Sequence, residues 1–315
     1  MSGKLISLVL GLQLLTSAGQ AQDLRTSQIT NLTNASQVQQ FVRERKSEYF
    51  DAKDFMLTDS LSPDCTGYSV CKTSGEHVSW LKADFDGDNR LDLLVTGYRN
   101  STSARRYVTC FLDLGEQKFT EIRLAAGGYN CDAAQLGYVG SKPVIFYTHS
   151  QIQGARFTEN RKLICKQDTL VFRKNGFVEY NRTPRDYRIE KVVFSTDACY
   201  GTCPIFTLQL ARNGAATYHA EQYNKLKGNF TTIVQAQPLA EIWTLLNYLN
   251  FPRLQTNYSI AATDHPTCTL TITYGGGKVK TITDYGERGT FGLGQVYELL
   301  FTLRTTQAWQ KRQAH

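Results

Sequence analysis

Residues 84–92 read DFDGDNRLD. Asp84, Asp86 and Asp88 stand at every second position, and Asp92 follows four residues on. Carboxylates packed this densely repel one another unless a cation sits among them. Calcium is the hard cation that gathers roughly six to eight oxygens from neighbouring carboxylates and carbonyls. The spacing therefore predicts a Ca2+ loop. Asp84, Asp86, Asp88 and Asp92 would point inward, the Arg90 carbonyl would lie between them, and Gly87 would let the backbone bend. An EF-hand does not account for the pattern, because it takes Gly at its sixth position and Glu at its twelfth; this chain has Asn89 and Val95 there. A cation-clamped carboxylate is deprotonated and a poor proton donor, so the expected role is structural.

The second chemistry-bearing stretch is STDACYGTCPIFTLQL (195–210). Gly201 permits a sharp turn, and Pro204 stiffens the entry to the next strand. Cys199 and Cys203 either staple this turn or pair elsewhere, for instance one of them with Cys268. A redox pair would normally be Cys-x-x-Cys near a helix N-terminus, whereas this is Cys-x-x-x-Cys before a strand. Cys199, Cys203, His219, His265 and Cys268 are suitable metal ligands by type but lack a zinc spacing. The chain has 8 cysteines, at 65, 71, 110, 131, 165, 199, 203 and 268. All are disulfide candidates in an oxidising compartment. An odd number falls on each side of residue 185, so either one bridge crosses between the halves or two thiols stay free.

His77 beside Glu76, His149, and His265 beside Asp264 are possible bases, yet no Ser or Cys nucleophile has a local signature. The nucleophile elbow, the zincin helix, the phosphate loop and the dinucleotide fingerprint are all absent from the sequence. Of two glycine-rich stretches, 274–280 is expected to turn a hairpin and 289–295 to open a helix.

The elements that position these residues follow from patterning. Lys4, the apolar run LISLVLGLQLL (5–15) and TSAGQA ending at Ala21 make residues 1–21 a signal peptide. The run is about half of the ~20 residues that span a bilayer. No Cys follows it, so a lipoprotein is not expected. The chain is expected to be secreted or periplasmic after cleavage near Ala21, with no transmembrane segment. Its formal charge of +7 is scattered rather than gathered on a basic helix, which speaks against nucleic acid as a partner.

A lead-in (22–52) carries a helix at 36–50, with Ser36 and Gln39 at capping-box spacing and Val38, Phe41, Val42 and Tyr49 on one face. Residues 53–182 read as a β-rich domain holding the calcium loop. Within it, 91–124 and 142–180 are similar to each other, as two degenerate blade-like units or two similar meanders. Pro184 in NRTPRDYR (181–188) marks a boundary. Residues 189–309 alternate cleanly: strands at 189–196, 205–212, 215–222 and 228–235, a helix at 238–250, strands at 268–274 and 278–285, and a helix at 293–309. The fold class expected is a mainly β N-terminal domain of antiparallel strands after one helix. A C-terminal α+β domain comes next, a ββββαββα antiparallel sheet with its helices on one face, and then a tail at 310–315.

WLKADFDGDNRLDLLVTG resembles the FG-GAP/VCBS repeat of β-propellers, whose loop D-x-D-G-D-G-x-x-D precedes an apolar strand. CFLDLGEQKFTEI resembles that unit's closing strands. The resemblance covers about 78–123, one unit where a full propeller needs several. It implies a structural calcium held by Asp84, Asp86, Asp88 and Asp92. Asn89 departs from the usual Gly, and Asn tolerates left-handed backbone better than other residues. The stretch from about 189 to 309 resembles an uncharacterised bacterial domain family, common in exported proteins, marked by C-[YF]-G-[ST]-C-P. That family implies an address and no activity.

The expected function is a non-enzymatic binding or interaction module of the cell envelope, whose partner is an envelope protein, peptide or glycan. The alternatives are a hydrolase with an inter-domain site using Asp264 and His265 beside Tyr200 or Asp197, and a thiol-redox protein using Cys199 and Cys203.

Overall fold

The computed structural model describes residues 25, 27–45, 52–59, 78–99, 102–124, 132–153, 162–260, 262–287 and 289–312. The expected signal segment, Tyr49, Glu76, His77, Cys65, Cys71 and Cys131 lie outside these residues.

Helix α1 (Ala35–Arg43) buries Val38, Phe41 and Val42. Its cap is not Ser36. The helix starts earlier, and Asn34 Oδ1 accepts from Gln37 N at 3.0 Å, while Gln37 Oε1 reaches back to Thr33 N at 2.7 Å. Two N–H groups at the helix entry, where the first turn has no intrahelical acceptors, are satisfied this way.

Five strands form the first sheet: β1 (Phe55–Leu57), β2 (Trp80–Ala83), β3 (Asp92–Arg99), β4 (Thr102–Asp113) and β5 (Phe119–Arg123). β4 lies along one edge of β3, and β1 and β2 share the other, all antiparallel. β6 (Ala133–Val139), β7 (Lys142–Gln153), β8 (Lys162–Arg173) and β9 (Gly176–Glu179) form a second meander. β2–β5 and β6–β9 are thus two successive four-strand antiparallel units. β3 is buried on both faces, and its period of two divides the core. Leu93 and Val95 pack with Phe41 and Phe55 under α1. Leu94 faces the other way, into a cluster with Val108, Ile145, Tyr147 and Leu170 that joins the two sheets. Gly97 is required here, since a Cβ would stand 2.2 Å from the Phe55 ring.

The C-terminal part is one eight-stranded sheet. Its elements are β10 (Ile189–Thr196), β11 (Phe206–Ala211), β12 (Ala215–Ala220), β13 (Gly228–Ile233), α2 (Ala236–Tyr248), β14 (Asn257–Ser259), β15 (Thr267–Tyr274), β16 (Lys278–Tyr285), α3 (Phe291–Thr306) and β17 (Gln310–Lys311). The spatial order is β14-β16-β15-β10-β11-β12-β13-β17. The expected ββββαββα core is present. The short edge strands β14 and β17 were not expected, and β14 runs parallel to β16. Phe194, Leu208, Leu270, Ile272 and Ile282 form one face of the sheet and share a core with Ile242, Leu246, Val296 and Leu300 of the two helices. No helix among the described residues is long and apolar enough to cross a membrane.

The two parts touch through α3. Glu179, the last residue of β9, accepts from Phe291 N at 2.7 Å and Gly292 N at 3.1 Å, where the first turn of a helix leaves donors unpaired. Gln295 Nε2 donates to Phe177 O at 3.0 Å, and the Phe291 ring meets Tyr147 edge-on at 5.2 Å. Burial pushes the Glu179 carboxyl above its ordinary value against the pull of those N–H donors. The stretch at 180–188 has no helix or strand. It is pinned to α2 by Asn181 N on Tyr248 OH and Tyr187 N on Asn247 Oδ1.

Candidate metal centre

The loop between β2 and β3 owes its shape to its own carboxylates. Asp84 Oδ1 accepts from Gly87 N at 2.8 Å and Asp88 N at 3.1 Å, and Asp84 Oδ2 accepts from Asn89 N at 3.0 Å. Asp86 Oδ1 accepts from Asp88 N at 3.1 Å, and Asp88 Oδ1 from Arg90 N at 2.8 Å. Gly87 and Asn89 take left-handed backbone, at φ 82 and 67. Asn is the non-glycine residue that visits this backbone region most readily. The Asn89 carbonyl is also used, accepting from Arg25 N at 2.8 Å.

This turn brings ligand atoms of Asp84, Asp86 and Asp88 within 4.8 Å of one another. Burial raises the Asp86 carboxyl above its ordinary value, and the charges on Asp88 and Asp84 raise it further. Such crowding is what a bound cation relieves. The Arg90 guanidinium pairs with Asp88 at the loop's edge.

Asp92 stands outside that group. It is 0% exposed, and its oxygens accept from two main-chain groups, Phe85 N at 2.8 Å and Asp113 N at 3.0 Å. It ties the start of β3 to the end of β4 and to the loop's own second residue. Burial pushes its carboxyl up to about 7, the two N–H donors oppose this, and the Asp86 and Asp84 charges add to it. Sequence reading missed the neighbouring Asp113, also buried, whose Oδ1 accepts from Gly115 N at 2.8 Å. A lone Asp at a strand end carries no local signal for such a role.

The cysteines resolve part of the open pairing. Cys199 and Cys203 form a disulfide with their Cα atoms 5.8 Å apart, and Cys165 is also disulfide-bonded. Cys110 and Cys268, both disulfide candidates by sequence, are instead buried free thiols. The reason is register. Cys110 lies between Leu94 and Ile122, and Cys268 between Thr196 and Asp284, so neither has a cysteine beside it among the described residues. Cys268 Sγ donates to Glu287 Oε1 at 3.4 Å. Burial raises both thiols well above their ordinary value, and nearby carboxylates add to the effect. Only the thiolate is a nucleophile. Iodoacetamide should therefore leave Cys110 and Cys268 unlabelled in native protein and label both in denaturant, read by peptide mass mapping. Native labelling at either position would contradict this burial.

Asp264 and His265 do not form a recessed site. Both are exposed. Asp264 Oδ2 accepts from the Thr263 hydroxyl at 2.8 Å, and His265 N donates to Tyr285 OH at 3.2 Å. Tyr200 is brought beside them by its N–H, which reaches Asp264 O at 3.2 Å. A more enclosed His–carboxylate pair, not joined by sequence reading, lies on β7 and β8, where His149 Nε2 is 2.8 Å from Asp168 Oδ2. Burial works to raise Asp168, and hydrogen bonds from His149 and Lys166 outweigh it and hold the carboxyl below its ordinary value.

Residues 190–304 match the family described as Domain of unknown function (DUF6438), in keeping with an uncharacterised domain over the C-terminal sheet. The match takes in the Cys199–Cys203 bridge and most of α3. No curated protein and no solved structure matches the chain.

Proposed function

We propose that this chain is an exported, non-enzymatic binding module of the bacterial cell envelope, with its N-terminal sheets set by a structural Ca2+ in the 84–92 loop. The observation that carries the reading is the approach of Asp84, Asp86 and Asp88 to within 4.8 Å at the junction of two strands. Carboxylate and carbonyl oxygens are the donor set a hard divalent cation takes. Asp84, Asp86, Asp88 and the Arg90 carbonyl would hold the ion. Asp92 would support it from behind, through the main chain it already binds. The likeness to the FG-GAP/VCBS unit supports a calcium in this loop and would add Asp92 to its ligands; as in that unit, the loop runs into an apolar strand, β3, which pairs with β4. A fixed charge there would bind the loop to the β2–β3 hairpin and leave the C-terminal sheet to meet partners. Binding rather than catalysis is supported by the broad solvent-facing side of that sheet and by the exposure of Asp264 and His265.

Calorimetric titration of metal-free mature protein with Ca2+ tests the carrying observation. One ion per chain is expected, with binding lost in Asp86→Ala. Absence of binding in the metal-free protein would remove the basis of the reading.

A further inference from the structure

We infer that the side of the eight-stranded sheet away from the helices binds a single extended chain of a neutral polysaccharide, lying across the strands and stacking on Tyr200 at the sheet's end. The inference rests on the binding-module reading and supplies that module's ligand.

The strand registers place polar side chains in rows. Thr283, Thr269, Ser195, Thr207, His219 and Asn229 are successive cross-strand partners from β16 to β13. Neighbouring strands lie about 4.8 Å apart, so this row sets one hydroxyl, imidazole or amide on each strand, with His219 Nδ1 and Asn229 Oδ1 bonded to each other at 2.6 Å. Two residues further along, Thr281, Thr271, Gln209, Thr217 and Thr231 make a second row, interrupted by Val193. These positions alternate with the buried ones in the burial patterns of their strands. The hydroxyls meet one another at the surface: Thr271 Oγ1 is 3.1 Å from Thr281 Oγ1. Each hydroxyl both donates and accepts, which matches a ligand built of hydroxyls.

Charge and composition narrow the occupant. In a chain of net charge +7, these rows hold no Lys, Arg, Asp or Glu. An anionic polymer would find only Lys191, one row further on between Thr273 and Ala211, to meet its charges. Protein interfaces draw on aromatic, Met and Arg side chains at their centre, and the rows contain none. Adjacent strands also rotate by roughly 20–25°. Over six strands that twist defeats a flat, rigid surface such as ice or a polysaccharide crystal, while a single flexible chain follows it.

The first row borders the end of the sheet where the loop at 197–205 joins β10 to β11. Tyr200 in that loop is 89% exposed, yet it is held on both sides by the Cys199–Cys203 bridge and tied through its N–H to Asp264 O. An exposed aromatic ring on a stiff loop gives stacking area at low entropic cost. Tyr223, 56% exposed, stands on the loop between β12 and β13 at the same end.

Native gel affinity electrophoresis of the mature protein tests this, with hydroxyethylcellulose, xyloglucan, mannan, dextran and the anionic polymer alginate in separate gels. At least one neutral polymer should retard the protein, with no change on raising salt. The triple variant Thr217→Val/Thr271→Val/Thr281→Val keeps side-chain shape and strand preference. It should retain the near-ultraviolet circular dichroism of the wild type and weaken binding at least about tenfold. Tyr200→Ala should weaken it as well. Unchanged retardation of the triple variant would place the ligand elsewhere, overturning this inference and sparing the binding-module reading. Retardation by alginate alone, abolished by salt, or binding to crystalline cellulose alone would overturn it too. No binding to these polymers or to a wider set of envelope proteins and peptides would defeat both.

Discussion

Asp92→Ala is expected to destabilise the N-terminal sheets by about 1–3 kcal/mol for each of the two main-chain N–H groups it strands. The wild-type carboxylate satisfies Phe85 N and Asp113 N from a fully buried position. Alanine gives neither group an acceptor. The loss comes from abandoned partners rather than from missing charge. Asp92→Asn separates the two causes, because its single carbonyl oxygen can accept from one N–H while its amide nitrogen opposes the other. It should fall between wild type and alanine. Urea unfolding followed by circular dichroism measures all three. An alanine variant within about 0.5 kcal/mol of wild type, the range of an unremarkable surface change, would show that these bonds hold nothing together.

The second large effect belongs to the C-terminal sheet. Phe194 in β10 is fully buried and stacks on Tyr297 of α3 at 5.4 Å, with Phe206 edge-on at 5.8 Å and Phe301 at 5.4 Å. It is the side chain through which the middle of the sheet meets the last helix. Phe194→Ala should cost about 3–5 kcal/mol, the sum of lost transfer energy and the cavity left behind. The four aromatic groups come from two strands and one helix, so the gap cannot close by moving a single side chain. Phe194→Leu, which refills part of the volume, should recover a substantial share. Urea unfolding provides the comparison. A cost below about 1 kcal/mol in the alanine variant would mean that the helix is seated elsewhere.

Much of the C-terminal sheet was legible because its signals are local. Thr-x-Thr-x alternation at 267–274 gives a strand with one apolar side, and the glycines that follow supply the turn into the strand at 278–285. Helix limits shifted by a few residues, since caps depend on which side chain reaches the third N–H: Asn34 rather than Ser36 for α1, and Thr290 for α3. β14 and β17 escaped notice because two or three residues carry no period, and only a neighbouring strand defines them. The loop carboxylates were legible as a cluster, because Asp84, Asp86 and Asp88 sit on one turn. Asp92 was assigned as a fourth inward ligand, and its bonds to Phe85 and Asp113 depend on β4 lying alongside. The docking of Glu179 on α3 joins residues 112 and 113 positions apart, which no local pattern records. Cys110 and Cys268 show the same limit: parity left free thiols as one of two outcomes, and strand register makes these two free among the described residues.

The central claim is that the 84–92 loop holds a structural calcium ion, and thermal unfolding tests it most directly. Mature protein stripped of metal would be melted in EDTA and in increasing free Ca2+, beside Asp86→Ala. Ligand binding to the native state raises stability by about 2.7 kcal/mol at a hundredfold excess over the dissociation constant. The account predicts a midpoint that climbs with free calcium in the wild type and does not move in the variant. A wild-type midpoint indifferent to calcium, in protein shown to start metal-free, would reduce the loop to a turn held by its own carboxylates and contradict the account.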